Sequence, residues 1–314
     1  MSDADDRPED AGPEDEDLED DSLSGSLEDA GATPNDAVSA LLDRAHELGD
    51  EGDFQGMAER LRDGLADHPG DPWVLCWLGV AEREMGMDGV AYERFRACLA
   101  AQPTDPYLLA TAGSAIAASA DPEAEGALRT AVMLAPDLPL ARWLYGAYLI
   151  REGMIEDGLG ELIVARELDP DDAAVRYELG AGLALAGRRG LAIDELYRSI
   201  ELEPGDGWAH VVLGLLLSED ERAEEAAGVL EEGARLRPED IEAQLIAALA
   251  AAAVGREDMG LEMVERARQW AEGADRALVD EVETRLDEGG EEAVAWLAEQ
   301  IGPAALRDRL MVRP

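Results

Sequence analysis

From about residue 37 onward, large apolar residues recur at helical rather than strand spacing. Leu179 and Leu183 stand four apart, and Ile193, Leu196 and Ile200 mark one face of the segment that follows. Between them "AGRRG" places Gly187 where a tight turn is needed, and similar turns surround Gly86 and Gly153. The pattern predicts pairs of helices joined by short turns, and no strand. The first 36 residues lack it. Their only large apolar residues are Leu18, Leu23 and Leu27, too few to offset the entropy of ordering, so residues 1–36 are expected to be a disordered tail.

The helix pairs repeat. Pro69, Pro103, Pro136, Pro170, Pro204 and Pro238 follow one another at intervals of 34, 33, 34, 34 and 34 residues. Each ends one helix, and an Asp or Gly within two residues leads into the next, where an acidic group suits a helix N-terminus. Small residues recur where paired helices must come close: Ala91, Ala124, Gly158, Ala192, Ala226 and Gly260. A two-helix unit cannot bury its apolar face alone, so the stacked array is the folding unit. After the last unit, Leu278, Val282 and Leu286, then Val294, Leu297 and Ile301, predict short helices over 273–314 that cap the open end.

These units resemble tetratricopeptide repeats. With the proline at position 32, Leu78–Gly79, Leu179–Gly180 and Leu213–Gly214 fall at positions 7 and 8, with Tyr145–Gly146 as a variant. The small residues above fall at position 20, and position 24 is bulky: Leu61, Phe95, Leu128, Leu162, Leu196, Leu230 and Val264. The family's frequent Trp at position 4 is missing, replaced by Leu75, Leu109, Arg142, Arg176, His210 and Gln244. The resemblance implies an all-α helical-hairpin solenoid wound as a right-handed superhelix. About seven units would span residues 37–272, between the acidic tail and the C-terminal capping helices.

Charge then narrows the possible partners. The chain carries 26 Lys+Arg against 72 Asp+Glu, a net charge of −46, and every one of those cations is Arg. Without clustered cations it repels nucleic acid and anionic lipid. The acidic start "MSDADDRPED" does not read as a signal peptide, and the longest apolar run, Leu245–Val254, is too short for a membrane span. The expectation is a cytoplasmic protein that binds neither nucleic acid nor membrane.

Catalytic patterns fail one by one. His46, His68 and His210 lie in different repeats, and "HELGD" lacks the second ligand of a zinc helix. "GAGLALAG" sits inside a helix, not after a strand, and a P-loop would need the Lys that the chain lacks. Cys76 and Cys98 fall on the two helices of one unit and read as small buried thiols, with a redox pair as the lesser alternative. No enzyme, cofactor or metal is expected.

The family resemblance implies that positions 2, 5, 9, 12 and 13 of each first helix line a concave groove. In this chain those positions include Trp73, Cys76 and Arg83; Tyr107 and Ser114; Trp143, Ala147 and Arg151; Tyr177 and Ala181; and Trp208 and Leu215. Five aromatics would form a ladder there, suited to a peptide or helix of a partner protein. Arg83 and Arg151, with Arg142 and Arg176 if they turn inward, would be isolated cations in a negative field. The carboxylate clamp of chaperone-binding relatives is excluded, because it needs Lys and Asn and the only Asn is Asn35. The function expected is that of a non-enzymatic interaction scaffold. The alternative is a regulatory or chaperone-like protein whose acidic tail docks in the groove or grips a basic partner, and self-association through the open ends is a further possibility.

Overall fold

The computed structural model describes residues 33–311. The expected tail, apart from residues 33–36, lies outside the described residues, and so do Leu18, Leu23 and Leu27. The described residues contain no strand and fold as successive antiparallel helix pairs. The first four pairs are α1 (Asp36–Asp50) with α2 (Phe54–Asp67), α3 (Pro72–Glu84) with α4 (Asp88–Ala100), α5 (Pro106–Ala117) with α6 (Ala124–Leu134), and α7 (Pro139–Arg151) with α8 (Ile155–Leu168). Three more follow: α9 (Ala173–Leu185) with α10 (Arg189–Leu202), α11 (Gly207–Glu219) with α12 (Ala223–Leu236), and α13 (Ile241–Ala253) with α14 (Glu257–Trp270). The chain closes with α15 (Ala274–Glu288), α16 (Gly290–Trp296), a π-helical turn over Leu297–Ile301, and α17 (Gly302–Met311).

Local chemistry sets the period. The Asp after each proline is an N-cap: Asp71 accepts from the backbone N–H of Trp73 at 2.9 Å, Asp105 from Tyr107 at 2.8 Å, and Asp206 from Trp208 at 3.0 Å. The fourth unit has Leu138 there and relies on Pro139 in the first turn instead. Between paired helices the chain turns through positive φ, at Gly86, Gly153 and Gly187 among others. Ala120 and Glu221 fill that place in the third and sixth units with φ of 53° and 58°, a conformation that costs a non-glycine residue about 1–2 kcal/mol.

Within a pair the small residues do what their spacing predicts. A Cβ on Gly158 would lie 2.6 Å from the Gly146 carbonyl oxygen, and one on Gly146 would lie 2.9 Å from that of Gly158. The two backbones therefore touch at this crossing, where no larger residue fits.

In the fourth, fifth and seventh units a polar staple stands where the position-4 tryptophan is missing, while the second and third units bury Leu75 and Leu109 there. Arg142 donates to the Pro136 carbonyl at 2.9 Å and pairs with Glu161 at 2.6 Å. Arg176 repeats the arrangement with Pro170 at 2.9 Å and Glu195 at 2.7 Å, and Glu195 also holds Arg166. Gln244 donates to the carbonyls of Ala234 and Arg237. These residues tie the start of one unit to the proline loop or the helix before it. Arg142 and Arg176 are thereby engaged by carboxylates and do not supply the free inward cations that were conditionally expected.

The core is not uniform along the array. From Val38 to Ala141 it divides into three clusters, centred on Leu61, Phe95 and Ala131. From Ile150 to Leu306 it is one continuous cluster. The closing segment explains part of that continuity. Helix α15 covers α13 and α14, as an end cap should, while α16 packs on α13. Helix α17 then runs back against α9 and α11, inside the array.

Candidate functional site

The first helices of successive pairs line one inner face. Between α5, α7 and α9 this face opens into a cavity of about 480 Å³. Its floor is small, formed by Ser114, Ala118, Ala147, Ala181 and Gly182; Ile150, Arg151, Tyr177 and Glu178 rise around it. Leu310 and Met311 of α17 close one side. Arg151 is exposed and makes no ion pair among the described residues, so it is a free cation in an acidic surround.

Toward α1 the inner face is aromatic. The Trp77 indole meets His46 edge-on with ring centres 4.2 Å apart, and stacks on Tyr107 at 6.0 Å with planes 28° apart. Such pairs contribute about 0.5–1.5 kcal/mol beyond their burial. His46 and Trp77 also border a crevice of about 390 Å³ with Val80, Phe54 and Met57. The Trp77 indole N–H and His46 Nε2 are buried there without hydrogen-bond partners among the described residues. Trp77 sits at position 6, which the repeat pattern assigns to packing rather than to the groove, and Tyr107 remains 38% exposed.

Toward the other end the face is occupied. Arg309 of α17 is buried, with its guanidinium 4.6 Å from the Trp208 ring centre. It pairs with Asp240 at 3.0 and 3.1 Å and with Glu242 at 3.0 Å. The Tyr177 hydroxyl donates to the Arg309 carbonyl at 3.3 Å and accepts from the Trp208 indole N–H at 2.8 Å. Burial alone would raise the Asp240 carboxyl, but the hydrogen bonds and charge of Arg309 outweigh it and hold the pKa below the ordinary aspartate value.

The residues expected in the groove therefore divide. Ser114, Ala147, Arg151, Tyr177 and Ala181 meet at the central cavity. Tyr177 and Leu215 are nevertheless each only 1% exposed, Tyr177 bonded to α17 and Leu215 beside the π-turn. Trp73 and Trp143 are half-buried against core clusters, their indole N–H groups enclosed and without partners among the described residues. Arg83 stays exposed, 6.0 Å over the Phe95 ring and 3.7 Å from Glu84.

Cys76 is displaced from the expected groove into the core, at 1% exposure and in contact with the Cys98 thiol. That hydrogen bond, with burial, raises its pKa well above the ordinary thiol value and disfavours a reactive thiolate. Among the described residues no group of three or more His, Cys, Asp or Glu side chains is placed to hold a metal ion, and no helix is long and apolar enough to cross a membrane.

No protein-family model matches the sequence, and no curated protein matches it. Similarity appears among solved structures. The Cut9 and Hcn1 hetero-tetramer structure matches at TM-score 0.64 and 16% identity, over 76% of this chain and 48% of that one, so the match spans about half of that relative's length. The structure of PilF from Pseudomonas aeruginosa matches at TM-score 0.56 and 16% identity, over 72% of this chain and 98% of that one. YrrB, described as a TPR protein with an unusual peptide-binding site, matches at TM-score 0.40 and 22% identity, over 52% and 85%. The chain has the tetratricopeptide-repeat fold, an all-α helical-repeat solenoid.

Proposed function

We propose that this chain is a protein-interaction scaffold whose open inner face, from α1 to α9, binds a peptide or helix of a partner protein. The observation that carries the reading is the continuity of that face. An aromatic wall of His46, Trp77 and Tyr107 leads to a cavity with a small-residue floor, and Arg151, without an ion pair among the described residues, stands at its edge. Aromatic rings in a groove offer large contact area at low entropic cost, and a lone arginine in a negative field selects a carboxylate.

The test begins with affinity capture and mass spectrometry to identify a direct partner, followed by binding measurements on purified chains. Tyr107→Ala and Arg151→Glu should each weaken binding by about tenfold or more, roughly 1.4 kcal/mol, while helical circular dichroism is unchanged. Unchanged affinity in both variants would overturn the groove reading. Binding lost only on removal of residues 1–36 would favour recognition by the acidic tail instead.

A further inference from the structure

We propose that the C-terminal half of the groove is a recognition site for an arginine-bearing helix. Tyr177, Trp208, Asp240 and Glu242 build it, α17 occupies it in cis, and a helix of the same chemistry from another molecule takes it when α17 leaves. The inference does not depend on the open half of the face.

Three observations support it. The first is the chemistry of the seat. A guanidinium is held at once by two carboxylates and an aromatic face, a combination that fits its planar, multi-donor group and that an ammonium would satisfy poorly. Tyr177 adds a backbone contact, donating to the Arg309 carbonyl, so the seat reads main chain as well as side chain.

The second is where the seat groups come from. Trp208 and Glu242 stand at position 2 of their units, and Tyr177 at position 5, the places that the resemblance to tetratricopeptide repeats assigns to groove contacts. Asp240 is the N-cap of α13 and already accepts from the Ala243 N–H at 2.9 Å, so its carboxylate is fixed before Arg309 arrives. The site is built by the array, and α17 contributes only the occupant.

The third is that open space borders the described part of α17. A crevice of about 420 Å³ remains beside Arg309, bordered by Trp208, Asp240, Glu242, Asp308 and Met311. A smaller void of about 50 Å³ lies between Leu215 and the Leu297–Gly302 segment. Leu310 and Met311 stand at the rim of the central cavity. A helix with a better-fitting flank gains contacts that α17 leaves unmade.

The experiment uses the full chain as wild type, Arg309→Ala and Arg309→Lys, with a labelled synthetic peptide of residues 297–311 as the probe. In hydrogen exchange, Arg309→Ala should speed exchange of amides 304–311 by tenfold or more while α3–α8 are unchanged, which also shows that the array stays folded. In fluorescence anisotropy, the peptide should bind Arg309→Ala at least tenfold more tightly than wild type. A peptide with Ala at the Arg309 position should lose that binding. Arg309→Lys should behave like Arg309→Ala. The proposal is overturned if exchange in α17 does not rise, if wild type and Arg309→Ala bind the peptide equally, or if Lys restores wild-type behaviour.

Discussion

The two halves of the array use the same unit to opposite ends. From α1 to the start of α7 the helices enclose three separate small cores, and among the described residues no segment crosses their inner face. From Ile150 near the end of α7 onward they share one continuous core, and from α9 to α13 the inner face is covered by the C-terminal segment. Repeat arrays are held by neighbour-to-neighbour terms. A segment that touches α9, α11 and α13 at once adds contacts across units that the repeat alone does not have, so it couples the units it crosses. Among the described residues the other half has no such strap.

The strongest way to break this contrast is a matched pair of core truncations. Leu61 and Leu213 are both fully buried, at the first and sixth units. Each Leu→Ala change should cost about 2–5 kcal/mol. Leu213→Ala should lower the denaturant midpoint of a transition that takes α9–α17 together. Leu61→Ala should release the α1–α3 region early and leave the later transition in place, as read by hydrogen exchange along the chain.

A second effect uses acid to loosen one joint of the segmented half. Asp121 bridges the third unit to the second: it accepts from the Glu123 N–H at 2.9 Å, from Arg96, and from the Tyr92 hydroxyl at 2.7 Å. The Glu123 amide first, then the Arg96 and Tyr92 hydrogen bonds, lower its pKa to about 2. A carboxyl that ionises more readily folded than unfolded stabilises fully above the ordinary aspartate value, near pH 4, and that contribution is lost as pH falls toward about 2. Asp121→Asn should therefore melt below wild type at pH 6, with the gap in Tm closing as the pH is lowered from about 4 to 2.

The smallest effect sharpens the comparison with one substitution made twice. Ala120→Gly and Glu221→Gly each relieve a positive-φ residue and should stabilise by about 1 kcal/mol. In Glu221→Gly the gain should appear in the transition of the continuous half, and in Ala120→Gly in that of the segmented half. A gain seen only in a single global transition for both would show that the halves are not distinct.

Much of the fold is legible in the sequence because its signals are local. Proline spacing, Asp caps, turn glycines and the small residues at positions 8 and 20 each act within a few residues or across one pair. The candidate site is less legible because its partners are distant. Arg309 meets Asp240 across 69 residues, and nothing in "LRDRL" marks where that helix docks. No local pattern around Leu215 or Tyr177 says that both are buried, one beside the π-turn and one against α17. Trp77 reads as packing from its position, and only the neighbouring units reveal its stack on Tyr107 and its edge contact with His46. Cys76 occupies a groove position yet is small enough to sink against Cys98.

The order of the chain gives the docked α17 a consequence in time. Every group that holds Arg309 lies between Tyr177 and Glu242, so it leaves the ribosome before the helix that fills the seat. During synthesis the receptor exists before its own ligand. A competing helix can meet the nascent chain when only Arg237, 5.3 Å from the Trp208 ring centre and 3.3 Å from Asp240, stands at the seat.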